Sequence, residues 1–104
     1  MKHFKLRKDL SIEINGKKLF RIESTENLSK HNVKKGDLGG FVEKESNLDG
    51  DAWVYGDARV YGDARVSGNA WVYGDAQVSG DARVYGDAWV YGDAQVSGDA
   101  RVYG

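Results

Sequence analysis

The sequence predicts an all-β protein built as a single-stranded parallel β-helix with the shape of a triangular prism. Three observations predict this fold. One hexapeptide is repeated nine times without a break from Asp51 to Gly104. Inside each unit, Ala and Val alternate with outward residues, as in a short strand with one buried face. A short fixed period also indicates coils that bury a shared core by stacking on one another.

Each hexapeptide contains a strand followed by a corner. Ala and Val are expected to point inwards, and the residue between them and the residue after Val to point outwards. Gly then accepts a positive φ at the corner, and the following Asp or Asn can bond to nearby backbone. A helix is excluded, because Gly recurs at every sixth position and Val is β-branched. The chain has no Pro, so every backbone N–H is available for bonds between coils.

The outward residues show a second period of three hexapeptides. Trp53, Trp71 and Trp89 recur at every third unit, and the outward residues between them vary with the same period. We therefore predict coils of about 18 residues, each with three short strands. Residues one coil apart are expected to stack at the inter-strand spacing of about 4.8 Å.

Three side faces with different chemistry follow from this arrangement. The aromatic face carries Trp53, Trp71, Trp89, Tyr55, Tyr73 and Tyr91. The arginine face carries Arg65, Ser67, Arg83, Tyr85, Arg101 and Tyr103. The glutamine face carries Arg59, Tyr61, Gln77, Ser79, Gln95 and Ser97.

The aromatic face and the column of Arg65, Arg83 and Arg101 are the candidate interaction site. Six aligned aromatic side chains would exceed the apolar patch that a soluble monomer normally exposes. Trp, Tyr and Arg are also the residue types enriched at binding hot spots. The alternative interpretation is an aromatic ladder that only stabilises the stacking of coils.

Residues 1–38 are predicted to form a capping segment, and residues 39–104 the β-helix. The runs Ser11–Ile14 and Lys17–Glu23 are joined by Asn15-Gly16, the preferred two-residue type I′ turn of a β-hairpin. Ile12 and Ile14 are expected to pair with Phe20 and Ile22 on one apolar face. We interpret this hairpin as a cap on the first coil, because solenoids need an atypical terminal unit. A separate recognition hairpin is the alternative.

The β-helix is expected to start near Gly39 with one degenerate coil. Gly40-Phe41-Val42 and Ser46-Asn47-Leu48 place small and aliphatic residues in the same frame as the perfect repeats. At the other end, the last coil, about Asp87–Gly104, would leave a strand edge and the end of the core uncovered. We therefore expect a contact there, either with a second copy through a two-fold axis or with a partner.

An aliphatic residue followed four positions later by a small one, at period six, resembles the hexapeptide repeat of left-handed parallel β-helix proteins. Val54 with Ala58 and Val96 with Ala100 fit this pattern. The family usually has Gly or a small or acidic residue after the aliphatic one, where this chain has Tyr or Ser. The resemblance implies a left-handed coil, an exception to the right-handed crossover rule. The stretch GDLGGFVEKESNLDGDAWVYGDARVYG also resembles small bacterial and bacteriophage-encoded hexapeptide-repeat proteins.

Catalytic chemistry is not expected from this sequence. Enzymes that share the coil are acyltransferases, usually trimers with a His beside an inter-subunit groove, and this chain resembles them only in the coil. Both of its histidines, His3 and His31, precede the repeats and are interpreted as solvent-exposed residues. No cofactor or metal is expected. Stacked carboxylates such as Asp57, Asp75 and Asp93 are interpreted as acceptors for corner N–H groups, with a metal site as the less favoured interpretation.

The predicted function is that of a non-catalytic assembly or binding protein acting through the aromatic and arginine faces. A phage-encoded protein that binds or inhibits a host factor is a narrower hypothesis, and it rests on the resemblance alone. The alternative is a reduced acyltransferase-like enzyme. We expect a homo-oligomer, either a trimer through the side faces or a dimer through the C-terminal coil.

Other partners and locations are constrained by composition. Stacking and charge could hold single-stranded nucleic acid on the arginine face, but the adjoining Asp columns would repel phosphate. No apolar run reaches the length of a membrane span, and Met1–Leu10 is too polar for a signal peptide. The chain has no Cys, so disulfides and thiolate sites are excluded. We therefore expect the cytoplasm of a bacterium or of a phage-infected cell.

Overall fold

A computed structural model of the protein describes residues 3–14, 16–28 and 31–104. It is a parallel β-solenoid of about four coils with about 18 residues per coil, with an antiparallel hairpin at its N-terminal end. This confirms the predicted fold class. Within the described residues, no helix is long and apolar enough to cross a membrane.

Nine short strands form the three side faces of the solenoid. Their bounds are β4 (Trp53–Val54), β5 (Arg59–Val60), β6 (Arg65–Val66), β7 (Trp71–Val72), β8 (Gln77–Val78), β9 (Arg83–Tyr85), β10 (Trp89–Val90), β11 (Gln95–Val96) and β12 (Arg101–Tyr103). The aromatic face is the sheet β4-β7-β10, and the arginine face is β6-β9-β12. The glutamine face, β5-β8-β11, continues into the N-terminal strands.

Neighbouring coils pair in parallel, so that each strand lies beside the strand of the same face in the next coil. Trp53 lies opposite Trp71, and Trp71 lies opposite Trp89. Backbone N–H groups donate to carbonyl groups of the next coil, as in Tyr55 N to Val72 O at 2.7 Å. The second period in the sequence is therefore the length of one coil. The left-handed winding implied by the family resemblance stays a prediction.

The core is a column of Ala and Val side chains inside the prism. From Ala52 to Val90 every Ala and Val of the repeats is buried, which confirms the assignment of inward positions. The last coil is more open: Ala94 and Ala100 are exposed, and Val96 and Val102 are half-buried.

Corner glycines are required for two reasons, which Gly68 illustrates. Its φ is +68°, in the left-handed region that favours glycine. A Cβ added to Gly68 would lie 2.9 Å from the backbone N and O of Gly86, one coil away. The corner at Gly68 is therefore in contact, backbone to backbone, with the corner of the next coil, and a side chain at this position has no room.

The N-terminal strands extend the glutamine face. β1 (Phe4–Ile14) pairs antiparallel with β2 (Lys17–Ser24), which pairs antiparallel with β3 (Leu38–Val42). β3 then lies parallel to β5, with Val42 opposite Val60. The cap and the repeats thus share one six-stranded sheet. The division of the chain at residues 38 and 39 stays a prediction.

The predicted side-chain pairing in the hairpin is wrong. Ile14 pairs with Lys17 and Ile12 with Leu19, because a two-residue connection places even-numbered residues opposite odd-numbered ones. A register shift between Arg7 and Ser11 then brings Ile22 opposite Leu6. Within the predicted Asn-Gly turn, Gly16 has the expected positive φ of +81°, and Asn15 lies outside the described residues.

The first coil replaces one strand with a 3-10 turn at Glu45–Asn47. Leu48 then bridges Val66 in parallel and belongs to the core. Asn47 occupies the outward position of its hexapeptide, above the arginine column, and yet it is fully buried. This is a departure from the repeat pattern.

Candidate interaction faces

The aromatic face is exposed to solvent only towards its C-terminal end. Trp53 is 1% exposed, whereas Trp89 is 54% and Tyr91 58% exposed. Tyr55, Trp71 and Tyr73 are half-buried between these extremes. The prediction that all six aromatic side chains form an exposed face is therefore wrong for Trp53.

Trp53 is covered by the N-terminal segment. Phe4, Leu28 and Val33 belong to the same buried cluster as Trp53. Gly39 packs so closely against it that an added Cβ would lie 2.8 Å from the indole Cζ2 atom. The aromatic and aliphatic side chains of the N-terminal segment are therefore buried together with Trp53, the first Trp of the aromatic face.

Both histidines are buried, so their interpretation as solvent-exposed residues is wrong. His3 Nε2 lies 2.7 Å from the carbonyl oxygen of Ala52, to which it donates. The ring of His3 also lies 6.1 Å from that of Trp53. His3 therefore attaches the residues before β1 to the coil that contains Ala52.

His31 fixes the position of Tyr55. The Tyr55 hydroxyl donates to the carbonyl oxygen of His31 at 3.1 Å and lies 2.8 Å from His31 Nδ1. Because the hydroxyl proton is used by the carbonyl, the hydroxyl oxygen accepts from Nδ1–H. Burial raises the pKa of the Tyr55 hydroxyl above its usual range, so the group stays protonated and able to donate at neutral pH.

Most rings of the aromatic face stack on one another along the solenoid. Trp71 and Trp89 lie 4.7 Å apart with an angle of 4° between their planes. Tyr73 and Tyr91 lie 5.3 Å apart with an angle of 11°. Parallel rings this close must overlap face on face, since coplanar rings at such distances would collide. The two stacks are tilted against each other, with an angle of 72° between the planes of Tyr73 and Trp89.

Tyr55 interrupts this ladder. Its ring is turned 86° from that of Tyr73, at a centroid distance of 6.3 Å. The bonds to His31 hold it there, 5.6 Å from the ring of Trp71. A groove of about 390 Å³ opens here, lined by Tyr55, Trp71 and Tyr73. We call it the tyrosine groove.

The arginine face carries a column of three positively charged side chains. Arg65, Arg83 and Arg101 are exposed, and within the described ranges none of them forms an ion pair. They line a groove of about 540 Å³ together with Tyr85, whose ring stacks on Tyr103 at 5.3 Å. This arrangement keeps three guanidinium groups available to a partner.

Acidic residues line the neighbouring corner. A second groove of about 510 Å³ contains the arginine column and, beside it, Asp63, Asp81 and Asp99. Asp63 is already engaged, because Lys44 Nζ lies 2.8 Å from its Oδ1 and lowers the pKa of the carboxyl group. Among the residues that the structure describes, no cluster of three His, Asp or Glu side chains could hold a metal ion.

Two features of the structure have no signal in the sequence: the burial of Asn47 and the bond between His31 and Tyr55. Asn47 occupies an ordinary hexapeptide position, and its burial depends on the 3-10 turn around it. The bond between His31 and Tyr55 joins the irregular segment to the repeat. A periodic pattern assigns Tyr55 to a face, but it carries no information on the segment that folds over that face.

Comparison with known families agrees with the observed fold. Residues 58–74, 76–92 and 94–104 match the family described as YdcK beta solenoid repeat. Together these segments make up less than half of the chain. The matched segments follow one another with the period of the observed coil. The chain is a β-solenoid repeat protein. No curated protein sequence matches this solenoid.

Proposed function

We propose that this solenoid is a non-catalytic binding and assembly protein that acts through its aromatic and arginine faces. The observation that carries the proposal is the pairing of two available surfaces. One presents exposed Trp89 and Tyr91 without charge. The other presents arginines that form no ion pair within the described residues. Such residue types are enriched at the centres of protein interfaces.

The environment of the histidines supports binding over catalysis. A reduced acyltransferase-like enzyme, the alternative from the sequence, needs a histidine in reach of substrate. His3 and His31 are 5% and 2% exposed, and each is used to attach the N-terminal segment to the solenoid. Their roles are accounted for by folding.

A second copy of the chain is the partner that we favour. Columns on different faces share the same axial repeat, so contacts between two parallel solenoids can recur coil after coil. A trimer through the side faces would use such contacts. The other arrangement that we consider is a dimer through the C-terminal coil. Binding of a host factor by a phage-encoded protein, and a cytoplasmic location, remain hypotheses drawn from the family resemblance.

The test compares Trp89→Ala with Gln95→Ala. Both residues are exposed and occupy the same outward position in consecutive hexapeptides, one on the aromatic face and one on the glutamine face. Light scattering should show self-association of the wild type, weakened by Trp89→Ala and retained by Gln95→Ala. Thermal melting of both variants checks that the coil is intact. Equal association of the two variants would overturn the role of the aromatic face.

A further inference from the structure

The column of tyrosines on the arginine face is interrupted at Ser67. Tyr85 and Tyr103 follow Ser67 in the next two coils, and their rings lie 5.3 Å apart with an angle of 16° between their planes. One face of the Tyr85 ring is therefore covered by Tyr103. Because Tyr103 lies one coil further on, the other face is directed back towards Ser67, whose side chain is too small to cover a ring. In the described part of the chain, no other ring and no guanidinium group is stacked on this second face.

A groove of about 540 Å³ opens on the uncovered side of Tyr85. The three arginines of the column and Tyr85 line it, together with the hydroxyl groups of Ser46 and Ser67 and the carboxylate of Asp49. Ser46, Asp49 and Ser67 come from earlier coils than Tyr85, and Tyr103 is not part of the lining. Sites for small molecules commonly have volumes of about 300–1,000 Å³ and combine an apolar surface with a few polar groups. We call this site the arginine groove.

The arginine groove has an excess of positive charge, with three guanidinium groups and one carboxylate in its lining. Arg65 lies opposite Arg83, and Arg83 lies opposite Arg101, so neighbouring arginines are about 4.8 Å apart along the solenoid. Like charges at this spacing repel one another, and an anion bound between them offsets the repulsion. A phosphate group suits this position, because a guanidinium group can donate two parallel hydrogen bonds to its oxygens.

The acidic corner beside the arginine column limits the size of the anion. Asp63, Asp81 and Asp99 line the groove on the other side of the column, and they are not part of the lining that contains Tyr85. A compact ligand can stay on the side of Tyr85, where the arginines separate its phosphate from these carboxylates. A nucleic-acid strand would bring further phosphates close to the acidic row and be repelled.

We propose that the arginine groove binds a mononucleotide. The base stacks on the uncovered face of Tyr85, the phosphate is held by Arg65 and Arg83, and the ribose lies beside the hydroxyl groups of Ser46 and Ser67. Stacking of a base on an aromatic side chain is tolerant of base identity, so the inference concerns the class of ligand and not one base. It goes beyond the proposed function and does not depend on it, since the ligand is a small molecule and not a second copy.

Two variants test the stacking surface, and the repeat supplies a matched control for each. Ser67→Tyr continues the tyrosine column and covers the second face of Tyr85, while all three arginines are kept. Its control is Ser79→Tyr, the same change at the same hexapeptide position on the glutamine face. Tyr85→Ser removes the ring, and its control is Tyr61→Ser, again on the glutamine face.

A third variant, Arg83→Gln, tests the phosphate contact. Gln occupies the same hexapeptide position on the glutamine face, so the coil accommodates it. The control is Arg59→Gln, which removes one positive charge outside the arginine groove, in a column where Gln77 and Gln95 follow in the next two coils.

The experiment titrates AMP into the wild type and each variant by isothermal calorimetry, with thermal melting as the check on folding. The wild type should bind AMP saturably, and the three controls should bind it like the wild type. Ser67→Tyr and Tyr85→Ser should each weaken binding about ten-fold or more, as for the loss of one base–aromatic stack. Arg83→Gln should weaken it about ten-fold, as for the loss of a hydrogen bond to a charged group. Adenosine and ribose 5-phosphate should each bind about ten-fold more weakly than AMP, because each lacks one of these contacts.

Several outcomes would overturn the nucleotide site. The first is the absence of saturable binding at millimolar AMP. Another is ribose 5-phosphate binding as tightly as AMP, which would show a phosphate site without stacking. Tighter binding of a single-stranded oligonucleotide than of AMP would show that the ligand is nucleic acid. If AMP does not bind while Trp89→Ala still weakens association, the proposed function stands and this inference falls. A wild type that binds AMP and does not associate gives the reverse result.

Discussion

Single positions of the hexapeptide separate core from surface. Val78 is fully buried at the centre of the solenoid, and Gln77, its neighbour in the chain, lies half-buried on the glutamine face. The Gln77 side chain has one partner among the described contacts, the hydroxyl of Tyr61 at 3.3 Å. Substitutions one residue apart should therefore differ greatly in their effect on stability.

We predict that Val78→Asp unfolds the solenoid, whereas Gln77→Asp is tolerated. A carboxylate at position 78 would be buried without a partner, at a cost of at least several kcal/mol. At position 77 the carboxylate can reach water, and the change loses only one weak bond. Urea denaturation followed by circular dichroism measures both. Similar midpoints for the two variants would contradict the assignment of inward and outward positions.

A pair of corner glycines separates backbone strain from crowding. Gly56 has a φ of +58°, and a Cβ there would meet no atom within 4 Å. Gly56→Ala should therefore cost only the left-handed backbone conformation, about 1–2 kcal/mol. Gly68→Ala should cost more, because its Cβ would also collide with the backbone of Gly86. Equal free energies of unfolding for the two variants would show that stacked corners tolerate a side chain.

The repeat makes the burial of most of its residues predictable. The prediction fails where residues outside the repeat pack against it. Burial of Val78 follows from its place in the hexapeptide, because every coil supplies the same neighbours. Burial of Trp53 does not follow, because it depends on Phe4, Leu28 and Val33 folding over one coil only. Exposure of a repeat residue thus depends on both its column and its coil.

Among the elements, the first coil depends on one buried amide. Asn47 Oδ1 accepts from the N–H groups of Glu43 at 3.0 Å and Lys44 at 2.8 Å. Its Nδ2 donates to the carbonyl groups of Ala64 at 2.9 Å and Gly62 at 3.2 Å. The side chain therefore closes the irregular corner and attaches it to the next coil.

We predict that Asn47→Ala destabilises the protein by about 2–4 kcal/mol, because it leaves buried backbone groups without partners. Asn69→Ala is the matched control, since the Asn69 side chain makes an exposed bond to Asp87 at 3.3 Å. Its loss should cost well under about 1 kcal/mol. Free energies of unfolding from denaturant titration compare the two. A loss for Asn47→Ala no larger than that of its control would contradict the role of the first corner.

The hairpin shows how far an element can be predicted from local signals. Its two strands follow from alternating runs around Asn-Gly, and they form. Its register over the whole length does not follow, because the irregularity between Arg7 and Ser11 has no marker such as Gly or Pro. Likewise, the pairing of β3 with β5 depends on contacts with the next coil, although the hexapeptide frame places Val42 correctly over Val60.

For the whole molecule, one translation relates each coil to the next, so a contact that suits one coil can recur along a face. A formal net charge of −1 offers little electrostatic resistance to association of copies. The tyrosine groove breaks this translation at one height, where the Tyr55 ring is not stacked on Tyr73. The site of that break could not be predicted, because it depends on the bonds of Tyr55 to His31.

The central claim, that the side faces bind a second copy, is tested most directly by the molar mass of the wild-type protein in solution. One chain has a mass of 11.5 kDa. Light scattering from dilute to concentrated solution should give a mass that rises to a whole multiple of this value. A mass of 11.5 kDa at every concentration would contradict the claim.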